Sequence, residues 1–159
     1  MQYALLYILN IVTINYAFMF VPPYELPGGV MWTPVALLVG FTFVIRDYAQ
    51  REIGHKIIIA MFLGGIISFY MATPEIAVAS IIAFLTGEFI DWAVYTFTGK
   101  PFSQRILLSS ALSTPVDSIV FLAMIGMLSL PTVLSMTISK MIGALVVFYF
   151  ARKRETATL

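Results

Sequence analysis

Six stretches of almost uninterrupted apolar sequence, set apart by short polar punctuation, dominate this chain. They cover residues 3–21, 32–45 with a polar tail to 50, 57–72, 76–97, 106–128 and 132–150. A chain of 159 residues cannot hide such runs inside itself, because little polar sequence is left to wrap them. Only 11% of the residues are charged and 60% are hydrophobic, whereas soluble domains carry roughly 25% charged residues. Mean hydropathy is +0.96, so the outer surface must face lipid. A spanning helix needs about 20 mostly apolar residues. Strands of a membrane barrel would alternate in polarity over short segments, and these runs do not alternate. The expected fold is an all-α membrane protein, a single six-helix transmembrane domain over residues 1–159.

The punctuation fits that reading. Pro22-Pro23 through Gly28-Gly29 reads as a loop, and Thr73-Pro74, Gly99-Lys100-Pro101 and Ser129-Leu130-Pro131 close later runs. Pro34 falls in the first turn of the second helix, where the missing N–H costs little. The start of the chain lacks a basic stretch and a small-residue cleavage site, so the first run is expected to be a retained helix.

Lys and Arg set the orientation. Arg46, Arg51 and Lys56 flank the second connection, Lys100 and Arg105 the fourth, and Arg152, Lys153 and Arg154 follow the sixth helix. The first, third and fifth connections carry neither residue. Both termini are therefore expected in the cytoplasm. One internal echo, Thr33-Pro34-Val35 against Thr114-Pro115-Val116, would fit two inverted three-helix halves. So short a match also arises by chance.

Charges within apolar runs need a reason. Glu88 and Asp91 lie inside the fourth run, Asp117 in the fifth and Lys140 in the sixth. Glu88, Asp91 and Tyr95 share one helix face, with Trp92 at its border. Ser110, Ser113, Thr114, Asp117 and Phe121 recur at helical spacing. Pro115 frees a backbone carbonyl beside them. Gly143 and Ala144, one turn beyond Lys140, allow close helix approach. Three carboxylates against one ammonium leave an excess that protons, water, a cation or a donor-rich ligand must balance.

Plainer readings stand beside this one. Lys140 and Asp117 also suit a structural ion pair, and Glu88 and Asp91 a water-filled vestibule. Arg46 and Asp47 read as an interfacial anchor, with Asp47 to Arg51 as an i,i+4 pair. Trp32 reads as an interface anchor, and Asn10 as interhelical glue or a ligand contact. His55 is a lone loop histidine, so no metal site is expected. With no cysteine, no zinc spacing, no Gly-rich phosphate loop and no triad, an enzyme is not expected and no cofactor is implied. Nothing resembles a basic nucleic-acid stripe, so no nucleic-acid partner is expected.

Four stretches carry a family resemblance. They are Arg46-Asp47-Tyr48-Ala49-Gln50-Arg51-Glu52-Ile53-Gly54-His55-Lys56, Gly87-Glu88-Phe89-Ile90-Asp91-Trp92-Ala93-Val94-Tyr95, Phe102-Ser103-Gln104-Arg105-Ile106-Leu107-Leu108-Ser109-Ser110 and Ser113-Thr114-Pro115-Val116-Asp117-Ser118-Ile119-Val120-Phe121. With Lys140, they resemble the vitamin uptake transporter family, also called the queuosine precursor transporters. The resemblance implies a six-helix importer of a 7-deazaguanine, the 7-cyano or 7-aminomethyl form, in a bacterial inner membrane. It matches Asp47, Asp91, Arg105, Asp117 and Lys140 to the family's polar positions. A carboxylate can accept paired donors from such a purine-like edge, and Trp92, Tyr95 or Phe121 could stack on its face. Two other readings are a substrate-binding subunit served by an ATP-driven energising partner, and a structural or regulatory subunit. A homo-oligomer stays open.

Overall fold

The computed structural model describes residues 1–157. Among these, helix α1 (Gln2–Phe20) leads into a hairpin of β1 (Tyr24–Leu26) and β2 (Val30–Trp32). Helices α2 (Ala36–Ile53), α3 (Ile57–Met71), α4 (Pro74–Phe97), α5 (Phe102–Met124) and α6 (Leu130–Ala157) follow. Five helical stretches are long and apolar enough to cross a membrane: Gln2–Phe20, Ala36–Met71, Pro74–Phe97, Phe102–Met124 and Leu130–Lys153. The 36-residue stretch contains both α2 and α3. It is broken at Gly54, whose φ of 61° lies where an L side chain is strained.

The chain reverses at that break. Asn10 of α1 donates to Thr42 of α2 at 2.9 Å, and Glu52 of α2 accepts the backbone N–H groups of Gln2 and Tyr3 at 2.8 and 3.0 Å. Helix α1 thus runs antiparallel to α2. Asn15 donates to Ser68 at 3.0 Å, and Gly64 lies against Ile11, so α1 runs parallel to α3. Helices α2 and α3 therefore point in opposite directions.

Several expected boundaries move. The second helix begins at Ala36 rather than residue 32, because residues 24–32 form the hairpin. Tyr24 faces Trp32 across it, and Gly28 and Gly29 turn the chain with φ of 90° and 75°. Pro34 holds the residue before it away from helical geometry. Trp32, expected as an interface anchor, donates its indole N–H to Ser139 of α6 at 3.0 Å. Helix α2 continues to Ile53 because its polar tail is buried against other helices. Helix α5 begins earlier, at Phe102, and ends at Met124, ahead of Gly126 at φ 72°.

The helices close a ring in the order α1, α2, α6, α5, α4, α3. Helix α2 also reaches across it to α4 and α5. The inverted repeat suggested by the two Thr-Pro-Val triplets does not appear in this packing. It would require α4 to pair with α6 as α1 pairs with α3, and α4 and α6 do not touch. One end of the ring gathers Arg51, Lys56, Lys100, Arg105, Arg152 and Lys153. Arg51 sits over the Phe102 ring at 4.8 Å, and Ala151 packs in one cluster with Phe102 and Tyr48. The hairpin and the α3–α4 and α5–α6 connections occupy the other end and carry no Lys or Arg.

Polarity is inverted relative to a soluble bundle. Leu5, Tyr70, Phe97 and Tyr149 are exposed, while Arg46, Asp47, Glu88, Asp91, Ser110, Ser113 and Thr114 are fully buried. Without a hydrophobic drive between helices in lipid, small residues at contacts let backbones approach. At the α2–α6 crossing, a Cβ on Gly40 would lie 1.9 Å from the Lys140 carbonyl oxygen, and one on Gly143 would lie 2.9 Å from the Gly40 carbonyl carbon. Gly40→Ala must push these helices apart. The expected cost is about 1–3 kcal/mol, read as a lower midpoint of thermal unfolding in detergent. An unchanged midpoint would mean that α2 and α6 do not meet at Gly40.

Candidate functional site

The polar interior is built on Arg46. Its guanidinium has no exposure to solvent or lipid. Nη2 meets Asp47 Oδ1 at 2.9 Å and pairs with Asp91 Oδ2, and Nε lies 3.5 Å from Glu88 Oε2. Nη1 donates to Gln50 Oε1, and Gln50 donates to Thr96 at 2.8 Å. Ser109 of α5 donates to Asp47 Oδ2 at 3.2 Å. One arginine thus ties α2 directly to α4, and to α5 through Asp47. Tyr7 of α1, fully buried, lies beside Glu88.

A second ion pair sits further along α5. Lys140 donates to Asp117 Oδ2, and to Ser118 at 3.0 Å. Gly87 makes room for it, since a Cβ there would lie 2.8 Å from the Asp117 Cβ. Asp117 is therefore pressed against α4, next to Glu88. Between the two clusters α5 buries a row of hydroxyls, and those of Ser110, Ser113 and Thr114 have no protein partner. Pro115 interrupts the helix's hydrogen bonding beside them.

These clusters border a cavity of about 390 Å³, within the ~300–1,000 Å³ usual for small-molecule sites. Its lining begins among loop residues at the end without Lys or Arg, including Pro23, Met31, Thr73 and Met127. It reaches Glu88, Asp117 and Lys140 at mid-depth. The walls between are largely apolar and include Phe43, Phe84 and Phe121. Toward the basic end the interior is filled by the Arg46 cluster.

Of the residues singled out from sequence, Glu88, Asp117, Lys140 and Phe121 line this cavity. Asp47 and Asp91 do not line it; they sit with Arg46. Ser110 and Thr114 are buried off the cavity on α5. Asn10 is also off it, bonded to Thr42, which does line it. Trp92 packs against His55 and Phe97. Tyr95 lies between the guanidinium groups of Arg46 and Arg105, at 5.9 and 5.3 Å from its ring centre. Both aromatics belong near the basic end and not beside Asp117.

Arg46 and Asp47 are not an interfacial anchor. Both are fully buried, and Asp47 pairs with Arg46, while Arg51 packs over Phe102. The residues missed from sequence are Arg46 as the hub, Tyr7 beside Glu88, and the cavity-lining rings of Phe43 and Phe84. Only Arg46 left a usable signal: an arginine that continues an apolar helix without a break.

A family model described as "Putative vitamin uptake transporter" matches residues 30–152, a span that includes both ion-pair clusters. No curated protein and no solved structure matches the chain.

Removing the hub strands buried carboxylates. Arg46→Gln is expected to cost about 3–5 kcal/mol, seen as a loss of monodisperse protein in detergent. Adding Asp91→Asn should recover part of it. If Arg46→Gln alone melts like the native protein, the cluster contributes nothing to stability.

Proposed function

Because this chain belongs to the vitamin uptake transporter family, we propose that it is a six-span importer of a 7-deazaguanine precursor of queuosine, working in a bacterial cytoplasmic membrane. The family assignment implies transport rather than catalysis. The observation that carries the reading is the cavity with Asp117 and Lys140 at its floor and aromatic walls above them.

The chemistry fits a flat, donor-rich heterocycle. Asp117 can accept adjacent N–H donors from a guanine-like edge. Lys140 orients that carboxylate and offers a donor to a ligand carbonyl. Phe43, Phe84 or Phe121 can stack on the ring face, a contact worth about 1–3 kcal/mol per base.

Direction follows from charge. The Lys- and Arg-rich end is the cytoplasmic one under the positive-inside rule, which puts both termini inside and the cavity's loop-lined end outside. The six-span reading rests on the reversal at Gly54, which makes α2 and α3 separate crossings. Helix α3 has 15 residues, about 22 Å at 1.5 Å per residue, and a bilayer accommodates a short span by thinning locally.

Two experiments test this. In a bacterial strain that neither makes queuosine precursors nor imports them, the chain should restore queuosine in tRNA when nanomolar precursor is supplied. Asp117→Asn, inserted equally well, should not. Failure of the native chain to restore it would sink the deazaguanine substrate. For topology, the absence of cysteine gives a silent background. Gly28→Cys should react with an impermeant maleimide on intact cells, and His55→Cys only after permeabilisation. The reverse pattern would invert the orientation.

A further inference from the structure

We propose that the ligand of this cavity carries a protonated amine and that Glu88 is the carboxylate that receives it. The inference rests on the importer reading and narrows its substrate.

The argument begins with charge around the cavity floor. Asp47, Glu88, Asp91 and Asp117 are four carboxylates, and Arg46 and Lys140 are the two cations paired with them. Two negative charges are in excess. The charge of Lys140 is already matched, since its ammonium holds Asp117 as well as Ser118. So is that of Arg46. Its two closer ion pairs go to Asp47 and Asp91, while Glu88 is left with the 3.5 Å approach of Nε. That distance is beyond ordinary N–H···O hydrogen bonding.

Glu88 is fully buried, and beyond the long approach of Arg46 Nε the donor set against its carboxylate is the neutral hydroxyl of Tyr7. Among the described residues, the groups around it offer no further cation. Tyr7 faces it from α1, Arg46 and Asp47 from α2, Asp91 from its own helix and Asp117 from α5. Gly87, the preceding residue, abuts Asp117, so two carboxylates stand together at the floor. The carboxylate whose charge is least matched is thus one that lines the cavity, whereas Asp91 and Asp47 do not line it.

A buried carboxylate of this kind favours a charge-assisted hydrogen bond from an ammonium, which is shorter and about twice as strong as a neutral one. The apolar walls suit the rest of the ligand. The site therefore fits a flat body that ends in a protonated amine: the body lies among Phe43, Phe84 and Phe121, one edge meets Asp117 and the amine meets Glu88.

Two precursors with the same bicyclic body test this directly. The 7-aminomethyl form is cationic at neutral pH, and the 7-cyano form is neutral. In the complemented strain the aminomethyl form should half-saturate uptake at a concentration about tenfold or more below the cyano form, a factor of ten being about 1.4 kcal/mol. In Glu88→Gln that ratio should fall toward one. Equal affinities in the native protein, or a preference for the cyano form, would overturn the amine inference and leave the importer reading intact. If neither form enters, the importer reading fails and takes this inference with it. A well-inserted Glu88→Gln protein that keeps the full preference would remove Glu88 as the receiver.

Discussion

The buried guanidinium of Arg46 is the interaction on which the interior depends. A carboxylate or an arginine inside an apolar bundle is tolerated only when charges and hydrogen bonds are matched. Arg46 is shared among Asp47, Glu88 and Asp91 and so permits three acidic groups where none would be stable alone. It also fixes geometry. Helix α2 is held to α4 by charge and to α5 by the Ser109–Asp47 bond, so the ring is closed off toward its basic end. The second pair, Lys140 and Asp117, joins α6 to α5 and leaves the space above it open as the cavity.

Close helix contacts make these pairings reachable. Gly40 and Gly143 bring α6 against α2, and Gly87 brings Asp117 against α4. Bulkier residues there would hold the helices apart and pull Lys140 and Asp117 from their places. Packing and electrostatics are thus coupled. The small residues set the distances, and the charges decide which helices are worth holding at those distances. The outer face has no such demand, and its exposed Leu, Phe and Tyr side chains suit hydrocarbon rather than one another.

Much of this was legible in the sequence. The apolar runs predicted the helices, the Pro and Gly punctuation predicted the breaks, and Glu88, Asp117 and Lys140 stood out as charges inside runs. Gly143 was read correctly as a point of close approach. The hairpin was missed because Pro-Gly-Gly in a short stretch between helices reads equally as an open loop. Arg46 and Asp47 were misread because they stand near the end of their apolar run, where a charge can ordinarily reach the membrane surface. Trp92 and Tyr95 were placed with Glu88 by helical spacing. That spacing is real, but it extends along the helix axis, and a turn or two carried them toward the basic end and away from the cavity.

The sequence by itself determined that the chain is helical and lipid-facing, since a chain this apolar has no other way to satisfy its backbone in hydrocarbon. It also determined that several ionisable groups must turn inward, because lipid would not accept them. Only the tertiary structure decided which groups meet. In helices that are apolar on nearly every side, periodicity does not mark an inner face, so helix rotation and ring order are set by contacts far apart in the chain. Gly40 against Lys140 and Arg46 against Asp91 are such contacts. They leave Glu88, rather than Asp91, at the cavity wall.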